Sequence, residues 1–316
     1  MDLHDPLLGL AADVLDDLER VRIANENRLR QLTRTETDVD GEDRGFGLDE
    51  SHPDVARLAA LVAALAKAEH DAELQLCRQM RAHPLGPWVK STIGVGEKQA
   101  ARLLAAIGDP YWNDLHDRPR TVSELWAYSG YHVLRTGQGR HDAHDGHAGA
   151  GPTPVGHSSD DSHLRVADGP QLRTGQGDHG HHSTSAGAAG SDLDQVRFDV
   201  QSSSVGVAAT PRRGQRANWS ADAKMRAHLI AVSCLKTTDS PYRPVYDAGR
   251  EKYAGAVHPA ECRRCGPSGS PAPAGSPLSA GHQHARAIRL MAKAILRDLW
   301  IEARRLHGDE SLADTG

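Results

Sequence analysis

Apolar residues recur at helical spacing along residues 6–33, where Leu7, Leu8, Val14, Leu15, Leu18, Val21, Leu29 and Leu32 step mostly by three and four. Acidic residues early and arginines late match the helix dipole, so this stretch is predicted to be one long helix. An acidic, glycine-bearing linker, TRTETDVDGEDRGFGLDE (33–50), leads into an Ala/Leu-rich segment predicted to be helical from Pro53 to Met80. Two long helices in succession predict an antiparallel hairpin or a coiled coil over residues 1–86, through which the chain would form a homo-oligomer.

Residues 87–135 read as a short apolar element, a Gly94-Val95-Gly96 turn, and a helix from about Glu97 to Ile107 ended by Gly108 and Pro110. A second short helix with Ser123 near its start carries Leu125, Trp126 and Tyr128. Residues 136–204 differ in kind. They hold His141, His144, His147, His157, His163, His179, His181 and His182 among Gly, Ser, Asp and Ala, and they repeat an LRTGQG phrase begun at Leu134 and again at Leu172. Such a composition cannot offset its ordering entropy, so a disordered His/Gly-rich insertion with adventitious metal affinity is expected. Residues 205–306 resume the helical pattern. A helix spans Ala221 to Lys236 with Asn218 or Ser220 as cap, a short one surrounds Tyr242 to Tyr253, a Cys/Gly/Pro loop fills 257–281, and a final helix covers about 282–306 before a 307–316 tail. Period-two alternation is nearly absent. The expected fold class is mainly α: a long-helix hairpin and a helical domain containing a helix-hairpin-helix.

Composition narrows the function classes. Hydrophobic residues make up 38% and aromatics 4%, while 31 Gly and 17 Pro raise the loop content, so much of the chain lies outside a dense core. No apolar run approaches the roughly 18–20 residues of a membrane span, and the acidic N-terminus is unlike a secretory signal. Four cysteines in 316 residues make a poor disulfide framework, which points to the cytoplasm. With a net charge of −5, affinity for nucleic acid must come from local basic patches.

Three constellations carry candidate chemistry. The Gly94-Val95-Gly96 turn precedes a helix and Lys98, so its backbone amides could approach a phosphate without an intervening side chain; the same glycines would also serve a plain turn between packed helices. The second is basic. Arg212, Arg213 and Arg216 lead to Trp219, Lys224 and Arg226, while Arg286, Arg289, Lys293 and Arg297 form one stripe of the last helix, opposite an apolar stripe of Ile288, Met291, Ile295 and Leu299. Such a face suits DNA, with a solvated helix face as the alternative. Third, Cys262-x-x-Cys265 is followed by His282-x-His284, with His258 upstream. Cys262, Cys265, His282 and His284 offer four ligands for a structural zinc, and free thiols are the alternative. No pair of carboxylates suited to a two-metal site stands out, so the catalytic residues are unknown.

The segments STIGVGEKQAARLLAAIGDP, TVSELWAYSGYHV, NWSADAKMRAHLIAVSCLKTTDSPYRPVYDAGREKYA and HARAIRLMAKAILRDLWIEA, in that order, resemble the C-terminal domain of transposases of the insertion-sequence one-hundred-and-ten type, the bridge-RNA-guided recombinases. The resemblance covers roughly 87–135 and 205–305. It implies DNA binding in transposition and recombination, with Gly94, Val95 and Gly96 at a backbone-contacting hairpin and the basic residues near 212–226 at nucleic acid. It also implies a guide RNA as partner. The family's RuvC-like domain, whose acidic ligands hold Mg²⁺, has no counterpart in this sequence, so a truncated member is expected and Mg²⁺ would be held by a partner chain. The family's nucleophilic serine falls after the A-Y-x-G segment, where this chain has Thr136, while Ser129 lies inside the motif.

Overall fold

A computed structural model describes residues 3–37, 39–42, 44–135, 206–208, 218–267 and 270–308. Among them are eight helices: α1 (Pro6–Thr33), α2 (Pro53–Ala82), α3 (Gly86–Ser91), α4 (Glu97–Ile107), α5 (Val122–Tyr128), α6 (Ala221–Lys236), α7 (Arg243–Tyr253) and α8 (Ala280–Leu306). Two short antiparallel pairs accompany them, β1 (Trp112–Asn113) with β2 (Arg118–Pro119) and β3 (Val133–Arg135) with β4 (Gly206–Ala208). The fold is mainly α. The expected insertion at 136–204, with Thr136, lies outside the described residues, as do Arg212, Arg213, Arg216 and residues 309–316. No described helix is long and apolar enough to cross a membrane.

Local chemistry sets the helix ends. Asp5 accepts from the Leu7 and Leu8 amides and Pro6 opens α1, where its missing N–H costs nothing. Of the two residues that could cap α6, Ser220 does so, accepting from the Ala223 amide. α5 begins with a capping box between Thr121 and Glu124. Ser279 starts α8 by accepting from the His282 amide, slightly before the start expected from periodicity. The expected tail also begins later, because His307 Nε2 pairs with buried Asp109 at 2.7 Å.

α1 and α2 form an antiparallel hairpin. His83 donates to the Leu3 carbonyl at its open end, and the Arg22 guanidinium pairs with Glu69 farther along. α4 packs across both helices, and α6 and α8 close the core from the other side. Ile288, Met291, Ile295 and Leu299 on α8 are each at most 2% exposed, so the apolar stripe read from spacing faces the core. Each such side chain contributes about 1.5–3 kcal/mol by leaving water. α7 lies against α8 through Gly249, where a Cβ would come 3.1 Å from the Ala287 Cα; the glycine permits that close crossing.

Candidate metal centre and cationic face

The loop between α7 and α8 folds back on itself through isolated bridges joining Val257 to Pro277 and Cys262 to Ala272. The fold-back brings His258, Cys262, Cys265 and, from the first turn of α8, His282 together, with one ligand atom from each lying within 4.8 Å of the others. The Cys262 and Cys265 sulfurs are 3.9 and 3.3 Å from His282 Nδ1. Zinc bonds of about 2.3 Å to sulfur and about 2.0 Å to nitrogen give tetrahedral S···N edges of about 3.5 Å, which those two distances bracket. His258 is 2% exposed and its Nε2 is buried without a hydrogen-bond partner, as expected of an atom awaiting a ligand bond. Among the described residues this is the one group of three or more His, Cys, Asp or Glu side chains close enough to hold an ion.

The electrostatics suit a cation. Burial, with the charges of Arg286, His258 and Arg264, holds the His282 imidazole below its usual pKa, which favours the neutral ligand form. Although burial opposes it, hydrogen bonds with Ser279 and Cys262 and the charge of Arg286 hold the Cys265 thiol below its usual range. Two thiolates and two imidazoles in a closed set match a structural site.

His284 is a correction. It follows His282 by two residues, which turns it roughly 200° around the helix, away from the sulfurs. Its Nδ1 meets the Tyr246 hydroxyl at 2.7 Å instead. His258 completes the set, carried in by a backbone bridge that sequence spacing does not reveal.

A second constellation adjoins the first. Gly130, in the A-Y-S-G segment, has φ +67, and a Cβ there would stand 2.6 Å from Trp219 Cδ1, so the indole rests on bare backbone. The Ser220 amide donates to the Tyr128 carbonyl at 2.8 Å, and the Tyr131 hydroxyl to the Lys224 carbonyl at 3.0 Å. On this base the cations lie over rings. Lys224 Nζ is 5.1 Å from the Trp219 centroid and Lys293 Nζ 3.8 Å from that of Trp126, while the guanidinium carbons of Arg289 and Arg286 are 5.7 and 5.4 Å from Tyr131 and Tyr253. Each pairing contributes about 0.5–2 kcal/mol. Arg289 also donates to the His132 carbonyl at 2.7 Å.

Among the described residues no carboxylate pairs with Lys224, Arg264, Arg286, Arg289 or Lys293, whereas most other helix cations have one. Burial first, then the nearby charges of Arg289 and Arg264, depress the Lys224 pKa; burial and Arg289 do the same to Lys293. These positive charges repel one another and are only partly hydrated. An anion laid across them relieves both costs.

The other sequence candidates are placed elsewhere. Arg226 is 7% exposed and pairs with Asp16 and Asp222, so it ties α6 to α1. Lys98 is held by Glu73 at 2.7 Å and Glu19 at 3.7 Å. At the glycine turn, Gly94 has φ +94, and a Cβ there would meet the Cys234 Cα at 2.9 Å, while Val95 is buried; Gly96 alone faces open space. The turn meets α6 at Cys234, ten residues and about 15 Å along the helix from Lys224. Glu97, paired with Arg81, adds a carboxylate beside it. Ser129 is fully buried, which removes it as an exposed nucleophile.

No protein-family model, curated protein or solved structure matches this chain.

Proposed function

We propose that this chain is a transposase-like, DNA-binding protein that grips the sugar–phosphate backbone with Lys224, Arg286, Arg289, Lys293 and the adjacent Arg264. The observation that carries the reading is a set of cations propped on aromatic rings and lacking carboxylate partners, on a face built by the A-Y-S-G segment, Trp219 and α8. Backbone contacts of this kind position DNA without reading its sequence. Zinc at His258, Cys262, Cys265 and His282 serves as a structural staple. In DNA transposition the chain would supply the grip, while Mg²⁺-holding carboxylates and a guide RNA come from partners. The test is duplex binding by an Arg289→Gln/Lys293→Gln double variant, with its helical content checked. Equal weakening on several unrelated sequences is expected; unchanged affinity contradicts the proposal.

A second reading concerns assembly. Leu7, Leu10, Val14 and Val21 of α1 are 67, 62, 46 and 46% exposed, although Leu8, Ala12 and Leu15 of the same helix are buried. The exposed set follows three-, four- and seven-residue steps, about 140° from the buried set, as a seam for a second copy of α1 would. Sedimentation of a Leu10→Glu/Val14→Glu variant tests it: a monomer is expected where the parent chain is a dimer, and a monomeric parent contradicts it.

A further inference from the structure

We infer that the cationic face takes double-stranded DNA and discriminates against single strands, because its own cations occupy the aromatic rings on which an unpaired base would stack. The inference rests on the DNA-binding reading above and names the substrate class of that face.

A patch that mixes cations with aromatic rings admits two opposite uses. Proteins that hold single strands leave ring faces open, and successive bases stack on them. Here the rings are occupied. The Lys293 ammonium lies 3.8 Å from the centroid of Trp126, whose Nε1–H donates to the Lys293 carbonyl and whose ring packs against the core. Trp219 has the Lys224 ammonium 5.1 Å from its centroid, Gly130 along its pyrrole edge and the His132 ring set edge-on at 5.9 Å. Tyr131 lies under Arg289 and is only 3% exposed, so it has no face to offer. Tyr253 has Arg286 at 5.4 Å and Lys252 at 6.0 Å.

Exposure points the same way. Among the described residues the exposed Phe, Tyr and Trp side chains are Phe46, in the linker between α1 and α2, and Tyr128. The Arg120 guanidinium lies 5.6 Å from the Tyr128 centroid, and the Tyr128 hydroxyl donates to the Ala106 carbonyl. An open ring contributes about five-fold or more in affinity per stacked base. To stack here, a base must first lift a cation. That forfeits the cation–π contact and the phosphate contact of the same charge, so the net gain vanishes. The rings therefore serve as supports for charge. Charge alone favours the duplex. With a salt slope of about 0.9 per phosphate for a duplex against about 0.7 for a single strand, four contacts make the duplex about six-fold tighter at 0.1 M salt.

The experiment titrates the full-length chain at several salt concentrations with a short duplex and with each of its separated strands. Anisotropy of the labelled DNA reports binding, and tryptophan emission of the protein reports stacking. The duplex is expected to bind about six-fold tighter at 0.1 M salt with the steeper slope, and single strands to leave the emission unchanged. In a Lys224→Ala/Lys293→Ala variant, with helical content checked by circular dichroism, the two indoles are uncovered. Duplex binding then weakens, single strands quench the emission, and the preference for duplex narrows. Single strands that bind the parent chain as tightly as duplex, or that quench its tryptophans, would overturn the inference and leave the DNA reading standing. A double variant whose preference and emission match the parent would overturn it too, by removing the role given to the two lysines. If neither duplex nor single strand binds at low salt, the DNA reading itself falls.

Discussion

The Trp126 indole donates its Nε1–H to the Lys293 carbonyl at 3.1 Å, while the Lys293 ammonium lies 3.8 Å from the centroid of the same ring. One aromatic side chain on α5 thus anchors the backbone of α8 and carries one of its charges. The arrangement keeps a partly buried ammonium positioned without a carboxylate that would neutralise it. It gives the face a rigidity that a solvated lysine on a surface helix lacks.

On the proposed DNA-binding reading, the lysine environment makes binding pH-dependent. Lys293, beside Arg289 and Trp126, and Lys224, beside Arg289, Arg264 and Trp219, have depressed pKa values when DNA is absent. A bound phosphate restores their charge, so binding takes up protons and weakens as pH rises, beginning below the ordinary lysine value of about 10.4. Folding has the opposite sign. The unfolded chain holds more protons between the lowered and ordinary pKa values, so these two groups make folding more favourable as pH climbs through that window. Affinity measured at rising pH should fall earlier for the parent chain than for Lys293→Arg, whose guanidinium stays charged. Identical pH profiles would count against this account of the lysines.

Arg226 should behave as a structural residue. It is buried against Asp16 and Asp222, and removing it leaves Asp16 with Arg102 as its remaining ion-pair partner and Asp222 facing water. An uncompensated buried charge would cost about 3–5 kcal/mol, and the Arg102 partner with the exposure of the carboxylates reduces the loss to about 1–2 kcal/mol. Arg226→Ala should therefore lower the melting temperature by several degrees, measured by calorimetry, with no change in the salt slope of DNA binding. A normal melting temperature with a shallower slope would return Arg226 to the DNA-contacting set.

The two glycines of the turn should separate cleanly. Gly94→Ala places a methyl 2.9 Å from the Cys234 Cα at φ +94, and a loss of at least about 1 kcal/mol in denaturant unfolding is expected. Gly96 has φ −83 and nothing within 4 Å of a Cβ, but it is the N-cap of α4, where alanine is disfavoured, so the entropy gain and the poorer cap offset and Gly96→Ala should change stability by less than about 1 kcal/mol. DNA affinity should be unchanged in Gly96→Ala. A marked loss there, with stability intact, would place a phosphate at the turn after all.

Periodicity revealed much of the fold and only part of the site. The limits of α1, α2, α4 and α6 follow from apolar spacing and caps, which are local properties, and so does the buried stripe of α8. The basic stripe Arg286, Arg289 and Lys293 was visible for the same reason, but the rings beneath it come from α5, its trailing segment and Tyr253 of α7, which only tertiary packing assembles. Cys262, Cys265 and His282 were legible as ligands from spacing. The choice of His258 over His284 depended on helix rotation and on a loop fold-back that no local pattern encodes. The inward tilt of Gly94 depended on Cys234, which follows it by 140 residues.

The central claim is tested most directly by the salt dependence of duplex binding by the zinc-loaded chain. Five cations on phosphates predict a straight line of log K against log salt with a slope of about −4.5, shallower by about 0.9 for each of Lys224, Arg286, Arg289 and Lys293 replaced by glutamine. A slope near zero, or one that these replacements leave unchanged, would contradict a backbone-gripping role for this face.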